Sequence, residues 1–153
     1  MSPLTLVGTT IQDIFVIRGS VHPAWVDQNT LPIAAWSAFL DVLNIGILKV
    51  DAAEVDLGPT RYPALGLSLA SFPLAELESL ASAGSLKAEP LIEARELLPL
   101  TVHSIEESDP MGEDTVSQYT IIGSCGQQLI LRHIMPPTTL GIALLPPANR
   151  AAS

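Results

Sequence analysis

The strongest constraint on the fold lies between residues 119 and 140, which read YTIIGSCGQQLILRHIMPPTTL. Two apolar runs of strand length flank the sequence SCG, which is typical of a tight turn, so the segment predicts a β-hairpin. Strands that are apolar on both faces are usually buried on both faces. A charge in such a strand must be paired, lie at an interface, or bind a ligand of opposite charge. Arg132 is therefore the best candidate for a functional residue.

Side-chain alternation along the second strand of this hairpin divides its residues between two faces. Arg132 shares one face with Ile130 and Ile134, and His133 lies on the opposite face. One interpretation of Arg132 is a clamp for a carboxylate, which a guanidinium grips with two hydrogen bonds. The alternatives are an ion pair with an acid such as Glu106 on a neighbouring strand, or a position at the exposed end of the sheet. The sequence leaves these alternatives open.

Helical periodicity and capping residues predict three helices. The first covers residues 31–44, the second begins after Ser71 and ends before Gly84, and the third covers residues 89–98. Extended runs predict strands at residues 4–19, 47–57, 64–71 and 100–107, in addition to the hairpin. We therefore expect an α+β fold, in which an antiparallel sheet built from hairpins packs against about three helices.

The length and apolar content predict one globular domain over residues 1–145, followed by a flexible tail at residues 146–153. Hydrophobic residues make up 48% of the chain, but 13 prolines and 10 glycines interrupt them, so a transmembrane helix is not expected. The first residues lack the basic region and cleavage site of a signal peptide. A single cysteine, Cys125, excludes an internal disulfide and favours a reducing compartment. We expect a cytoplasmic protein.

The charge of the chain limits its partners. Its net charge is −9, from 16 acidic and 7 basic residues, and the basic residues are scattered along the sequence. Phosphate backbones and anionic lipid surfaces repel such a protein, so neither nucleic acid nor membrane is an expected partner. Charged residues make up only 15% of the chain, which favours burial of some apolar surface in a homo-oligomer.

No motif for metal binding or nucleophilic catalysis is present. The histidines, His22, His103 and His133, have none of the spacings of a metal site, so we predict neither a metal nor a cofactor. His103 alternates with apolar neighbours, as expected for a histidine in the core or on the sheet surface. Cys125 lies in the predicted turn without the signature of a cysteine hydrolase, and Ser124 lacks the context of a nucleophile elbow.

The segment YTIIGSCGQQLILRHIMPPTTL resembles the strand–turn–strand element of chorismate lyases and of the effector-binding domains of GntR-type regulators. Residues 57–80, LGPTRYPALGLSLASFPLAELESL, resemble an earlier hairpin that leads into a helix in those proteins. Residues 89–107, EPLIEARELLPLTVHSIEE, resemble their middle helix and the strand after it. The resemblance thus covers residues 31–140. It implies a chorismate lyase-like fold and an enclosed pocket, in which the lyases eliminate pyruvate from chorismate.

The chain departs from these lyases at both positions that matter for their chemistry. The resemblance implies an arginine on the first hairpin, near residues 51–53, which contain none, and a glutamate on the last strand, at or next to the position of Arg132, which is not an acid. Whether the chain is a carbon–oxygen lyase is therefore left open. We expect a domain that binds a small anionic or aromatic acid, or a lyase-like enzyme, with Arg132, Arg61, His133 and His103 as candidate ligand-binding residues. The alternative is a non-catalytic oligomeric interaction or assembly protein.

Overall fold

A computed structural model describes residues 2–18, 29–57, 60–82, 87–112, 114–134 and 139–147. For residues 52–57, 60–65, 80–82 and 139 it describes the backbone only. The predicted tail from residue 148 onward, His22, and Met135 at the end of the predicted hairpin lie outside the described residues.

β-Strands make up most of the regular secondary structure in the described part of the chain. Its strands are β1 (Thr10–Ile17), β2 (Ile33–Ala35), β3 (Ser37–Val42), β4 (Gly46–Leu57), β5 (Thr60–Phe72), β6 (Ala88–Pro90), β7 (Leu100–Ser108), β8 (Gln118–Gly123), β9 (Gln128–Ile134) and β10 (Thr139–Leu145). One α-helix, α1 (Leu74–Ser82), and two short 3₁₀ helices (Pro3–Leu6 and Ile92–Ala94) complete the described elements. None of the helices in these ranges is long and apolar enough to cross a membrane.

All strand pairs are antiparallel, in the order β2-β10-β9-β8-β7-β1-β3-β4-β5, and β6 pairs with β1. Only Trp36 separates β2, which pairs with β10, from β3, which pairs with β1. The continuous segment of residues 33–42 therefore joins one end of this pairing path, β2, to β3, which lies two strands from the other end, and the sheet folds back on itself. We call β1 and β3–β6 layer A, and β2 and β7–β10 layer B.

Alternation along the strands builds the core between the two layers. The interior holds apolar side chains of both layers that are 0% exposed, among them Val16, Leu40, Val50, Leu129, Leu131 and Leu140. Each such side chain contributes about 1.5–3 kcal/mol to stability through its removal from water. Because this interior is filled with aliphatic side chains, functional groups are more readily placed on the outer faces of the layers or at their edges.

The predicted hairpin at residues 119–140 is confirmed by the antiparallel pairing of β8 and β9. Its turn depends on Gln127, a 6% exposed side chain whose Oε1 accepts a hydrogen bond from the Cys125 N–H at 3.1 Å. A Cβ atom at Gly123 would overlap the Gln127 side chain, so the close approach in this turn requires glycine.

The predicted α+β fold with about three helices is wrong. Residues 31–44, predicted as a helix, contain β2 and β3. Leu40 and Val42 face the interior while Phe39 is buried on the other face, so apolar residues on both faces imitate helical spacing. The third predicted helix is replaced by β6 and the 3₁₀ helix Ile92–Ala94. Among the described residues, only the second of the three predicted helices is present, as α1. This largely antiparallel architecture also conflicts with the α+β, chorismate lyase-like fold that the resemblance implies.

Candidate functional site

The outer face of layer B carries Arg132, and the strand register defines its surroundings. One row across the sheet consists of Ser108, Gln118, Arg132 and Gly141, contributed by β7, β8, β9 and β10. The neighbouring row consists of Glu106, Thr120, Ile130 and Ala143. Paired residues of an antiparallel sheet point to the same face, so all eight share the face that is turned away from the core.

A chain of two hydrogen bonds orients the guanidinium group of Arg132. Its Nε donates to Gln118 Oε1 at 2.6 Å, and Gln118 Nε2 donates in turn to Thr120 Oγ1 at 3.0 Å. The amide of Gln118 is therefore held at both its oxygen and its nitrogen, which fixes the edge of the guanidinium that it contacts. Among the described residues, the two terminal NH₂ groups of Arg132 have no further hydrogen-bond acceptor. They are available to a bidentate acceptor such as a carboxylate.

The charge of Arg132 is partly buried and lacks a described counterion. No carboxylate of the described side chains lies within 4.0 Å of its guanidinium, whereas Arg18 and Lys49 both form ion pairs. Removal from water lowers the pKa of Arg132, and a neighbouring acid would raise it instead. A half-buried cation without a counterion favours the approach of an anion.

β10 carries a glycine beside Arg132, and two apolar side chains pack over it. Gly141 lies directly opposite Arg132 in the register. A Cβ atom at Gly141 would lie 2.5 Å from Ile134 Cδ1 and 2.9 Å from Leu31 Cδ1, so these two side chains fill the space over the glycine. Leu31 and Ile134 are buried in this small cluster, and the half-buried Ile130 packs against it. Arg132 therefore lies next to a tightly packed apolar cluster. We call Arg132, Gln118, Thr120 and Ile130 the arginine face.

Two of the alternative positions for Arg132 can be compared with the described residues. Glu106 lies on the same face but two strands away, about 9–10 Å in the direction of the hydrogen bonds, and forms no ion pair with Arg132. Arg132 is also not at a strand end, because β9 continues to Ile134 and pairs there with β10. The carboxylate clamp stays a prediction.

The structure does not bring the four predicted ligand-binding residues together. Strand alternation sends His133 to the interior, where it is 1% exposed, on the face opposite to Arg132. His103 is exposed at the irregularity in β7, where the pairing with β8 shifts register between Val102 and Ser104. The backbone of Arg61 pairs with Asp56, but its side chain lies outside the described residues. Of the three predicted ligand-binding residues whose side chains are described, only Arg132 lies on the arginine face.

The other candidates for chemistry remain isolated in the described part of the chain. No group of three or more His, Cys, Asp and Glu side chains that could hold a metal ion is present there. Cys125 is exposed in the hairpin turn, as the sequence predicts. These positions provide no constellation for metal-assisted or thiol catalysis among the described residues.

Sequence reasoning missed a pocket of about 390 Å³ between β1 and the segment that follows β6. Its lining includes Gln12, Asp13, Ile92, Arg95, Leu98 and Pro99. The relevant signal is the pair of consecutive polar residues in TIQDIFVI, which shifts the apolar alternation of β1 by one position. The residues on the other side were interpreted as a helix, so their approach to β1 was not foreseen.

Comparison of the chain with protein-family models, with curated proteins and with solved structures gave no significant match. The pattern-level resemblance to chorismate lyases and GntR-type effector domains is therefore not tested by any relative.

Proposed function

We propose that this protein is a small-molecule-binding domain that holds a carboxylic acid at the arginine face. The observation that carries the proposal is the half-buried guanidinium of Arg132, which Gln118 orients and no described carboxylate neutralises. A carboxylate can accept two parallel hydrogen bonds from the terminal NH₂ groups of such an arginine. The cytoplasm is the compartment we propose for this function, because the single cysteine is suited to reducing conditions.

The shape of the arginine face favours a small acid with an apolar or aromatic body. Ile130 lies two residues before Arg132 on the same face, about 6–7 Å away along the strand, which is the reach of one aromatic ring. Two charge-assisted hydrogen bonds on a partly open face contribute about 4 kcal/mol, which corresponds to a dissociation constant of roughly 1 mM. We propose binding and not lyase chemistry, because the glutamate that the lyase resemblance requires is replaced here by Arg132.

Thermal shift and calorimetric titration with benzoate and 4-hydroxybenzoate test this proposal, with benzamide as a neutral molecule of the same shape. We expect both acids to stabilise the protein and benzamide to have no effect. Arg132→Ala should abolish the stabilisation, whereas Lys87→Ala, which removes an exposed cation directly before β6 of layer A, should preserve it. Equal stabilisation of the Arg132→Ala variant, or none of the wild type at about 10 mM acid, would overturn the proposal.

A sharper variant is Gln118→Glu. It places a carboxylate where Gln118 Oε1 now accepts from Arg132 Nε at 2.6 Å, and so supplies the missing counterion within the protein. We expect this variant to fold normally and to lose at least about tenfold in affinity for benzoate, because the new carboxylate competes for the same cation. Unchanged affinity would show that the acid binds elsewhere.

A second candidate function, assembly with further copies of the chain, is favoured by the hairpin of β4 and β5. β3 pairs with β4 only over residues 46–50, yet β4 and β5 continue to pair with each other as far as Leu57 and Thr60. No described strand pairs with the outer edges of this two-stranded extension, although the Leu67 N–H donates to the Val116 carbonyl at 3.0 Å, and strand edges of this kind are suited to pairing with another chain.

Light scattering coupled to size-exclusion chromatography tests the assembly function. Each chain carries a net charge of −9, so screening by salt should favour association. We expect an oligomer at micromolar concentration whose fraction grows between low and high salt. A monomer under both conditions would rule out self-assembly through this extension.

A further inference from the structure

The pocket beside β1 is a gap between two neighbouring strands. On the same edge of β1, β7 pairs with Thr10 and Ile11, and β6 pairs with residues 15–17. Residues 12–14 between them have no strand partner on this edge, and only the N–H of Leu91 reaches the Ile14 carbonyl, at 2.8 Å. The chain from β6 to β7 bends away from β1 at this point. The pocket of about 390 Å³ occupies the space that it leaves.

A bulge on the other edge of β1 turns polar side chains into this gap. Ile11 pairs with Val42 and Asp13 with Asp41, so the register to β3 shifts by one residue at Gln12. The bulge places Gln12 and Asp13 in the lining of the pocket, while Ile11 and Ile14 both remain in the core. Gln12 is fixed by a hydrogen bond from its Nε2 to Asp41 Oδ1 at 3.2 Å.

The pocket contains one acid and one base that do not neutralise each other. Asp13 Oδ1 accepts a hydrogen bond from the Ile14 N–H at 3.0 Å, and its second oxygen has no partner among the described residues. Arg95 forms no ion pair within 4.0 Å with Asp13 or with another described carboxylate. The remaining lining is mainly apolar and includes Ile92, Leu98 and Pro99.

We propose that this pocket binds a zwitterion of the α-amino-acid class with an apolar side chain. The ligand carboxylate pairs with Arg95, its ammonium group pairs with the free oxygen of Asp13, and its side chain packs on Leu98 and Pro99. A volume of about 390 Å³ lies within the range of small-molecule sites. A ligand with a single charge would satisfy only one of the two groups and be repelled by the other, so the pocket selects for both charges together.

Calorimetric titration of the full chain carrying Arg132→Ala, which removes the proposed carboxylate site of the arginine face, with L-leucine and L-phenylalanine tests the proposal, alongside two analogues of leucine that each lack one charge. N-acetyl-leucine lacks the ammonium group, and leucinamide lacks the carboxylate. We expect at least one of the two free amino acids to bind, and each leucine analogue to bind about tenfold more weakly than leucine, or not at all. An analogue that binds as tightly as leucine, or no binding of either amino acid at about 10 mM, overturns the proposal.

Further variants of the same chain locate the binding. Arg95→Ala and Asp13→Asn should each weaken binding of the preferred amino acid about tenfold or more, whereas Lys87→Ala, which removes an exposed cation outside both proposed sites, should leave it unchanged. Asn at position 13 keeps an oxygen that can accept from the Ile14 N–H, so the bulge is preserved. If Asp13→Asn does not fold, the exposed Arg95 provides the test alone. Unchanged affinity in Arg95→Ala, or an equal loss in Lys87→Ala, contradicts the assignment to this pocket.

Discussion

The outer faces of layers A and B differ in the side chains that they carry and in the elements that cover them. On layer A, strand alternation sends Phe39 and Phe72 outward, and their rings pack 5.0 Å apart. Leu77 of α1 and Ala88 of β6 cover this apolar surface. On layer B, the outward side chains include Gln118, Thr120 and Arg132, and no described helix lies over them. Apolar outward side chains are covered on both layers, since Leu31 packs on Ile134 and Ala143 of layer B, whereas Gln118 and Arg132 stay only half-buried.

Four substitutions test this contrast. Their expected effects on stability decrease from Phe39→Ala through Gly141→Ala to the two charge substitutions, Arg132→Met and Arg18→Ala. The free energy of unfolding, measured by urea denaturation, is the common scale. A substitution on the covered face should cost far more than one on the arginine face. If both faces were equally structural, the two sets of values would overlap.

Phe39→Ala should have the largest effect. Phe39 is 0% exposed beneath α1, and its loss leaves a cavity next to Phe72. We expect a loss of about 3–5 kcal/mol in the free energy of unfolding. Gln128→Ala, on a half-buried side chain of the layer B outer face, is the control and should change stability by less than about 0.5 kcal/mol. A loss below about 1 kcal/mol in Phe39→Ala would contradict the covered character of the layer A face.

Gly141→Ala tests the one tightly packed spot beside the arginine face. The new methyl group would lie 2.5 Å from Ile134 Cδ1, so Ile134 and Leu31 must shift. We expect a loss of about 1–3 kcal/mol in the free energy of unfolding and weaker binding of benzoate, because Ile134 and Arg132 lie on the same strand face. Ser108→Ala, in the same cross-strand row, is the matched substitution and should be close to neutral. Equal values for the two variants would contradict the close packing over Gly141.

Arg132→Met should leave stability unchanged or raise it by up to about 1 kcal/mol. The guanidinium is half-buried with a lowered pKa and lacks a described counterion, so its removal leaves no buried acid without a partner. The same variant should lose binding of benzoate. A gain in stability together with a loss of binding is the signature of a residue retained for its ligand. A loss above about 2 kcal/mol would indicate that the hydrogen bond from Arg132 to Gln118 is chiefly structural.

Arg18→Ala should have the smallest effect, at most about 1 kcal/mol near neutral pH. Arg18 donates to Glu89 at 2.8 Å and to Glu93 at 2.6 Å, but these side chains are 37–45% exposed, so solvent screens the ion pairs. Burial is the largest single influence on the pKa of Glu93 and raises it, but the hydrogen bond from Arg18, a backbone hydrogen bond and the charge of Arg18 together outweigh burial, so the pKa of Glu93 is lowered. The ion pair therefore stabilises the protein above the unfolded-state pKa of glutamate.

Denaturation curves at several pH values test whether the stabilisation by the Arg18–Glu93 ion pair is lost at acidic pH. A lowered folded pKa means that the stabilisation is lost as the pH falls through that value, because the carboxyl then becomes neutral in the folded protein as well. The stability difference between wild type and Arg18→Ala should therefore shrink on acidification. A difference that grows at acidic pH would contradict the assignment.

Local signals predicted the β8–β9 hairpin and the opposite faces of Arg132 and His133, because strand period and turn residues act over a few residues. The same signals failed at residues 31–44, where both faces of β2 and β3 are buried by different elements. Ile33, Trp36, Phe39 and Leu40 then have the spacing of a helix. The pocket beside Arg95 could not be predicted, because it arises from which strands meet at one edge of β1. Its only local trace is the polar pair at Gln12 and Asp13.

The most direct test of the arginine face is an NMR titration that observes the arginine Nε–H groups, with the Arg132 signal assigned by its absence in Arg132→Lys. We predict that benzoate shifts the Arg132 Nε–H resonance in a saturable manner, that benzamide does not, and that the Arg18 and Arg95 signals stay in place. A signal of Arg132 that is unaffected by benzoate, or that moves no more than those of the other arginines, would contradict the account.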